Sequence, residues 1–582
     1  MMFNSNRPVV AYTPVRIVAS ATQRLPTVLL MLIAALYILL GLFDRDPWKT
    51  DDVVGLAAML TAFNEGHIAW LIPHIGPTTL TQNGPLTIWV GAGFMWLFDP
   101  ILSHMAAARV AVIFWFALML WALWYGTYLL GRRHEGQPLA LPFGGEPTPR
   151  AYGRLLADIS ALFLMATVGV LLRLHETSEA PALMATQALV LLGVIRMLDK
   201  PAQGAVLVGV ALAAAFLTRG LPAALPLAIG LIIALLPRNP MYSRKRWLFL
   251  AVVVGFVISF TWAYFAHRAD PVWAAEWWRW NDTLIGLGGV HDMFRPLRDL
   301  PWFIWPTWPL ALIAAWNWRK TLTAPHIWLP LSFFVAQLVG LAITSNSGEL
   351  DYVALAVPSA MLAAFAVPTI RRGMVNTLDW FALMCFSVTT TCVWVGWFTQ
   401  QTGFPPGIAQ NIARQTVGYI PHIIWPAVAM GAVVSGVWLL TMRWRLISQP
   451  TALWRGSLLC ATGITATWAL LVLLWLPTVD YVRSYKPMST AIQLALLEHT
   501  NQPGQRPCVR ALGLSEGVQA SLYVFNGLTF SYSSECKFIL QQTTIQQLLD
   551  RAAGFEDNAT VVWLGSRGAD RFDRYRLLKL NP

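Results

Sequence analysis

The sequence predicts an all-α polytopic membrane protein of about thirteen transmembrane helices, followed by a small C-terminal α/β domain. Hydrophobic residues make up 56% of the 582 positions and charged residues only 12%, unlike a soluble globular protein. Apolar stretches near the spanning length of about 20 residues recur along most of the chain. From about Asp480 these runs shorten and polar residues become frequent. The predicted boundaries are therefore 1–479 for the membrane domain and 480–582 for the outer domain.

The predicted spans follow the apolar runs. They are Pro26–Phe43, Ala106–Leu130, Leu155–Leu172, Pro181–Ile195, Ala205–Leu217, Leu221–Leu236, Trp247–Phe265, Leu300–Trp316, Ile327–Thr344, Tyr352–Val367, Trp380–Trp397, Ile420–Met442 and Gly456–Leu476. The first run lacks a small-residue cleavage site, so it is interpreted as a retained helix. Leu86–Phe98 is also apolar but too short to cross comfortably, which favours an interfacial or re-entrant helix.

Loop charge predicts the orientation, because cytoplasmic loops collect Lys and Arg. With the N-terminus inside, every basic loop falls on the cytoplasmic side, and an odd number of spans sends the C-terminal domain outside. The net charge of +12 is then explained by membrane topology, and nucleic acid is excluded as a partner. The basic loop residues are Arg132, Arg133, Arg150, Arg154, Arg238, Arg244, Lys245, Arg246, Arg319, Lys320, Arg371, Arg372, Arg443 and Arg445.

The first outer loop, residues 44–105, carries the adjacent carboxylates Asp51 and Asp52. Charge beside a membrane is costly and tends to be functional. Thr50 is predicted to cap a helix that lies on the membrane surface and ends near Gly66. Its apolar positions repeat at helical spacing: Val53, Leu56, Ala57, Leu60 and Phe63.

The outer domain is predicted to contain two helices and four strands, namely helices Met488–His499 and Thr544–Ala553 and strands Val509–Leu512, Phe538–Gln541, Val561–Leu564 and Tyr575–Leu578. Cys508 and Cys536 lie where oxidation is permitted, and the sequence leaves open whether they pair. The other cysteines, in apolar runs, are interpreted as inert packing residues: Cys385, Cys392 and Cys460.

Several short motifs occur in a characteristic order, most of them on the outer side. They are Trp48 with Asp51-Asp52, Asn64-Glu65-Gly66, Gln82-Asn83-Gly84-Pro85-Leu86, Glu179-Ala180-Pro181, Thr218-Arg219-Gly220, and Tyr352 with Pro358. In this order the chain resembles the GT-C glycosyltransferases that use polyprenyl-phosphate sugars, especially the bacterial lipid A aminoarabinose transferases and the protein O-mannosyltransferase group. The resemblance covers the membrane part and the outer C-terminal domain.

The chain departs from the family pattern at three places. The family's Glu-Lys pair is replaced by the neutral Gln82-Asn83, its second Asp by Glu179, and the Lys before Tyr352 is missing. Donor phosphate must therefore be bound by other cations, and the identity of the sugar does not transfer.

The resemblance implies an inverting transfer in which a carboxylate accepts the proton of the attacking hydroxyl and cations stabilise the departing phosphate. We expect Asp51 to be the base, Asp52 to position the acceptor or hold a cation, and Glu179 to complete the carboxylate cluster. Arg219 is the first candidate for phosphate, since its fork suits that anion. Further donor-binding candidates are Lys49, Asn83, Arg268, Arg295 and Tyr352. A divalent metal at Asp51, Glu179 and His291 is left open.

Several of these residues also have an explanation in which they serve only the structure and not the reaction. Asp51 and Asp52 would complement a helix dipole, Arg219 would snorkel to the interface, and Glu179 would be a simple loop carboxylate. His291 and Asp292 resemble a ligand pair, but a hydrogen-bonded surface pair is favoured without a second His at metal spacing.

The function expected from the resemblance is transfer of a sugar from undecaprenyl phosphate to lipid A, another glycan or a protein. The enzyme would be a monomer in a bacterial inner membrane, with its N-terminus cytoplasmic and its C-terminus periplasmic. A transporter or flippase of lipid-linked sugars is the alternative, but it predicts charges deep in the spans, whereas here the acids cluster at outer ends. A glycan ligase or polymerase is the other alternative, and such enzymes place their catalytic residues in a late outer loop.

Overall fold

The computed structural model describes residues 13–142, 144–236, 240–286, 290–345, 347–448, 452–500, 507–531, 533, 536–544 and 559–580. The protein is mostly helical. Up to the outer domain, its helices are α1 Thr27–Leu39, α2 Thr50–Glu65, α3 His67–Leu71, α4 Leu86–Phe98, α5 His104–Arg132, α6 Pro149–Met165, α7 Val168–Arg173, α8 Ala180–Asp199, α9 Pro201–Ala234, α10 Lys245–Ala269, α11 Pro271–Leu284, α12 Val290–Phe303, α13 Thr307–Asn317, α14 Pro325–Ile343, α15 Glu349–Tyr352, α16 Ala356–Ala366, α17 Arg372–Thr402, α18 Pro406–Gln415, α19 Trp425–Ser448 and α20 Arg455–Arg483.

Apolar helices of membrane length confirm a multi-pass membrane protein. In the described part of the chain, nine helical segments are long and apolar enough to cross a membrane, and α1 and α4 are shorter apolar helices. The predicted run Leu155–Leu172 is broken into α6 and α7, and Leu300–Trp316 is spread over α12 and α13. Apolar composition alone cannot locate such breaks, so the count of thirteen remains a prediction.

The predicted spans Ala205–Leu217 and Leu221–Leu236 correspond to the two parts of α9, which a kink with non-helical backbone angles at Arg219 and Gly220 separates. Gly220 has φ +64°, and a Cβ there would lie 2.1 Å from Asn281 Oδ1. Only glycine fits this position, because the backbone is left-handed and the neighbour is too close. Asn281 is fully buried and accepts a hydrogen bond from Leu221 N at 2.7 Å, which satisfies a donor that the kink leaves without a helical partner.

Asn281→Ala is expected to lower the free energy of unfolding by about 1–3 kcal/mol, because it leaves the buried Leu221 N–H without an acceptor. The thermal midpoint in detergent measures the effect. The exposed Asn411→Ala in α18 is the matched control and is expected to change stability by less than about 0.5 kcal/mol. Equal midpoints for the two variants would contradict this account of the kink.

The helix predicted in the first outer loop is α2, but its environment differs from the prediction. Thr50 is its first residue, and Lys49 occupies the N-cap position without a capping hydrogen bond from its side chain. Most of α2 is buried: it packs against α4 and against α22, Glu516–Asn526, of the outer domain. Sequence periodicity predicted an apolar face and assigned it to the membrane surface, whereas the structure covers it with protein.

The outer domain is a helix-and-sheet unit whose helices are α21, Lys486–His499, and α22. Earlier in the chain a hairpin pairs β1 His74–Ile75 with β2 Thr78–Thr79. The five-stranded sheet has the order β4-β3-β5-β7-β6. It contains two parallel and two antiparallel pairings. Its strands are β3 Val509–Leu512, β4 Phe530–Ser531, β5 Phe538–Thr544, β6 Ala559–Gly565 and β7 Asp573–Leu580.

The predicted strands of this domain are all present, and Cys508 and Cys536 form a disulfide. The predicted helix Thr544–Ala553 lies outside the described residues beyond Thr544, which belongs to β5. α22 was not predicted. Of the other cysteines only Cys460 is buried, whereas Cys385 and Cys392 are exposed on α17, which corrects their interpretation as packing residues.

Candidate active site

The candidate site lies where three segments of the chain meet: the start of α2, the turn 174–179 between α7 and α8, and the start of α15. Charged side chains from all three segments contact one another. Gly55 permits the approach of α2, since a Cβ there would lie 2.1 Å from the carbonyl oxygen of Thr177. The site is thus assembled from residues more than 290 positions apart.

Asp52 is closed off from solvent and is held in place. Its side chain is 1% exposed and lies 2.8 Å from Arg45 Nη2, in an ion pair whose two partners are equally buried. Its other oxygen accepts hydrogen bonds from Thr177 N at 2.8 Å and Thr177 Oγ1 at 2.7 Å. Arg45 also donates to the carbonyl of His175. Asp52 therefore binds a cationic side chain of the protein, and both of its oxygens already have partners.

Asp51, one residue earlier, is accessible. Its side chain is 34% exposed, and its carboxylate lies 2.7 Å from Arg173 Nη1. Arg173 also contacts Glu176 at 2.9 Å and Glu349 at 2.8 Å, so one guanidinium joins three carboxylates. Lys49 lies 3.4 Å from both of these glutamates. With three acids and two cations, the cluster has a formal charge of −1, counted over these five side chains.

Glu179 connects this cluster to the kink of α9. It is buried at the start of α8 and accepts a hydrogen bond from Asn83 Nδ2. Asn83 is held nearby because Gly84 N donates to the carbonyl of Thr218 at 3.0 Å. Burial raises the pKa of Glu179 to about 7, and the charge of Arg219 opposes that shift. The charges of Asp51 and Arg173 also act on Glu179, so this carboxyl group interacts both with the cluster around Arg173 and with Arg219 in the kink.

Arg219 lies in the kink and approaches Asp351 at 3.5 Å. It lines a cavity of about 20 Å³ together with Asp351, Gln187 and Gln337. Gln187 and Gln337 are buried and hydrogen-bonded to each other at 2.8 Å. Arg219 therefore lies against a small cavity inside the protein whose lining combines polar and apolar side chains.

The raised pKa of Glu179 predicts that the stability of the protein depends on pH. As pH rises from about 4.5 to about 7, the unfolded chain releases this proton while the folded chain keeps it, so the free energy of unfolding falls. Glu179→Gln is expected to remove that contribution, giving a thermal midpoint that falls less between pH 5 and pH 7.5 than in the wild type. The exposed Glu146→Gln is the control and should follow the wild-type curve. Parallel curves for all three proteins would contradict the raised pKa.

The remaining predicted donor-binding residues make no described contact with Asp51. Tyr352 is buried, donates to the carbonyl of Ser347 at 3.4 Å and packs edge-on against Phe303 at 5.6 Å between ring centroids. Arg268 is exposed in the last turn of α10. Arg295 is half-exposed and lies 4.0 Å from Asp299. None of these described contacts joins the residue to the cluster around Arg173.

His291 lies in α12, but its side chain is outside the described residues, and so is that of Asp292. Among the side chains that the structure describes, no three of His, Cys, Asp or Glu come together as a metal site. Asp51 and Glu179 bind Arg173 and Asn83 instead. A metal at this site therefore remains a prediction, and the chemistry proposed below takes no step through one.

Sequence reasoning missed Arg173 and Arg45, the two guanidinium groups that organise the site. Both have a recognisable signal. Arg173 ends an apolar run and is followed within six residues by two acids, and Arg45 precedes the Asp51-Asp52 pair. Neither signal is enough to place the residue in the site, because Arg173 also contacts Asp51 across 122 positions and Arg45 donates to the carbonyl of His175 across 130.

Comparisons with known proteins show which folds this chain is similar to. No family model matches the chain. A curated relative, the undecaprenyl phosphate-alpha-4-amino-4-deoxy-L-arabinose arabinosyl transferase of Pectobacterium carotovorum subsp. carotovorum, is 24% identical in an alignment 435 residues long. That alignment covers 71% of this chain and 68% of that protein. Among solved structures, ArnT from Cupriavidus metallidurans bound to undecaprenyl phosphate superposes with a TM-score of 0.67 at 17% identity, covering 95% of this chain and 97% of that chain.

The apo state of the same ArnT gives a TM-score of 0.64 at 16% identity with the same coverage. The likeness extends over nearly the whole of both chains, so the membrane part and the outer domain are shared together. These comparisons confirm the predicted resemblance to the GT-C glycosyltransferases.

Proposed function

We propose that this chain, a GT-C-type glycosyltransferase, transfers a sugar from undecaprenyl phosphate to lipid A on the periplasmic face of a bacterial inner membrane. The observation that carries the proposal is an accessible carboxylate, Asp51, in the first outer loop of an ArnT-like fold. The relative with 24% identity is named for a sugar carried on undecaprenyl phosphate, and one ArnT structure contains that lipid.

We assign Asp51 the role of general base. The acceptor hydroxyl would attack the anomeric carbon, its proton would pass to the Asp51 carboxylate, and the bond from that carbon to the phosphate oxygen would break. Because phosphate leaves as an anion, no strong general acid is needed. Asp52 has no access to this reaction, since Arg45 and Thr177 occupy both of its oxygens. Its proposed role is to hold α2, and hence Asp51, in position.

Departing phosphate requires cations, and the site offers guanidinium groups on both sides of Glu179. Arg219 contacts Asp351 at 3.5 Å, beyond hydrogen-bond length, so most of its donors remain available to an anion. Arg173 is the second candidate, and a bound phosphate would compete with Asp51 for it. That exchange would free the Asp51 carboxylate as the donor arrives. Lys49 and Asn83 are proposed as secondary contacts, whereas Tyr352, Arg268 and Arg295 would act only at the periphery.

Mass spectrometry of lipid A tests the proposal. A strain lacking the gene is compared with the same strain carrying the wild-type chain or the Asp51→Asn variant. We expect one additional glycosyl mass on lipid A with the wild type only, because transfer needs the base. Unchanged lipid A together with a glycosylated protein would overturn the acceptor assignment.

Purified protein in vesicles separates the alternatives. Undecaprenyl monophosphate sugars prepared from the producing strain should yield a new glycosidic bond on added lipid A. Movement of the lipid-linked sugar across the vesicle without such a bond would favour a flippase. Activity with diphosphate-linked glycans alone would favour a ligase or polymerase.

A further inference from the structure

A second charged cavity lies at the opposite end of the molecule, on the side that loop charge assigns to the cytoplasm. It has a volume of about 750 Å³, within the range of about 300–1,000 Å³ typical of ligand sites. Five segments form it: the N-terminal stretch 16–21, residues 367–370, the start of α17, the end of α19, and the start of α20 with the residues just before it. It is separate in sequence from every residue of the candidate active site.

The polar lining of this cavity is predominantly cationic. Asp379 of α17 is buried, and its Oδ2 lies 2.7 Å from Arg445 Nη2 and 3.0 Å from Arg455 Nε. Arg16, which is exposed, lines the same cavity from the N-terminal stretch. Three guanidinium groups against one carboxylate give a formal charge of +2, counted over these four side chains. Asp379 fixes two of the guanidinium groups in place before any ligand arrives.

The other side of the cavity is apolar. The residues that line it there are Trp380, Leu383 and Leu446. The helices α17 and α19 are long enough to cross a membrane, and only 17% and 11% of the residues in their most apolar stretches are buried within the protein. Their exposed apolar faces are therefore placed to meet lipid. A cavity that joins a cationic end to lipid-facing helices suits an amphiphile with an anionic head.

We propose that this cavity binds the phosphate group of an anionic phospholipid from the cytoplasmic leaflet. Arg16, Arg445 and Arg455 would contact the phosphate, and the acyl chains would follow the faces of α17 and α19. Basic pockets between transmembrane helices on this side are suited to anionic head groups. Loop charge alone would explain exposed arginines, but it does not explain a buried carboxylate that orders two of them around a cavity. Zwitterionic lipids are disfavoured because their cation would meet the excess positive charge.

Native mass spectrometry of the full chain in detergent tests the site, with phosphatidylglycerol as the probe and phosphatidylcholine as the comparison. Arg16→Gln removes one cation without breaking a buried ion pair, and we expect it to weaken phosphatidylglycerol binding about five- to tenfold. Arg319→Gln is the matched control: it removes an exposed arginine from the same side but outside this cavity, and its affinity should equal that of the wild type. Phosphatidylcholine should bind more weakly to all three proteins.

Asp379→Asn is expected to change the affinity for phosphatidylglycerol in the direction opposite to Arg16→Gln. It raises the formal charge of the cavity to +3, so phosphatidylglycerol should bind more tightly in the folded fraction. Equal weakening by Arg16→Gln and Arg319→Gln, or no preference for phosphatidylglycerol over phosphatidylcholine, would overturn the proposal. Complete displacement by millimolar inorganic phosphate would identify a soluble anion as the ligand and overturn the lipid assignment.

Discussion

Asp51→Asn is expected to reduce sugar transfer by about 10²- to 10⁴-fold, the usual contribution of a positioned general base. The amide keeps the shape of the side chain but cannot accept the proton of the acceptor hydroxyl. The loss should fall on kcat with little change in the KM for the donor, because the base acts in the transition state and not in donor binding. Transfer of labelled sugar to lipid A in membranes measures it.

The variant should remain folded, since Arg173 keeps Glu176 and Glu349 as partners and Asp51 is partly exposed. Asp51→Glu should restore part of the activity, because it retains a carboxylate on a longer chain. Asp44→Asn is the matched control: it removes an exposed acid from the same loop and should transfer normally. Transfer by Asp51→Asn within tenfold of the wild type, at equal protein level, would remove the base assignment.

Asp52→Asn is expected to have its largest effect on folding, lowering the free energy of unfolding by about 3–5 kcal/mol. The substitution removes the carboxylate that pairs with the buried guanidinium of Arg45 at 2.8 Å, and breaking a buried ion pair at one partner is far more costly than removing both charges. The two neighbouring aspartates therefore have separable phenotypes: one variant is inactive and folded, the other destabilised. Thermal unfolding in detergent, beside the transfer assay, distinguishes them.

The double variant Asp52→Asn with Arg45→Met tests the cause, because it removes both charges. It should be more stable than Asp52→Asn alone if the unpaired guanidinium is responsible. Asp99→Asn is the matched control: it breaks an ion pair with His104 at 3.5 Å whose partners are both exposed, which is worth about 0–1 kcal/mol. A destabilisation by Asp52→Asn no larger than that of the control would refute the anchor role.

The sequence predicted the helices and strands closely where their bounds depend only on residues nearby in the chain. α4 has the predicted bounds, α2 ends at the predicted glycine, and the predicted strands of the outer domain are present. Apolar length, period-two alternation and glycine at helix ends act over a few residues, so they can be read locally. The predicted spans Ala205–Leu217 and Leu221–Leu236 also left residues 218–220 between them, and the structure has a kink there.

Interactions between distant segments were beyond local patterns. Arg173 reaches Asp51 across 122 positions, and nothing near either residue identifies the other. The apolar face of α2 was assigned to the membrane surface because α22, which packs against this helix, lies more than 450 residues later in the chain. Trp273 and Trp277 are likewise buried against Trp262 of the preceding helix, a contact that no local pattern identifies.

By itself the sequence determined that this chain has many apolar helices of membrane length, carries two adjacent acids after the first apolar run and ends in a small mixed domain. Those properties follow from transfer free energies and local backbone preferences, which each segment has regardless of its neighbours. Only the tertiary structure decided which of two adjacent aspartates is accessible. Successive residues at the start of a helix point in different directions, so Asp52 meets Arg45 and the turn at Thr177, whereas Asp51 stays partly exposed beside Arg173.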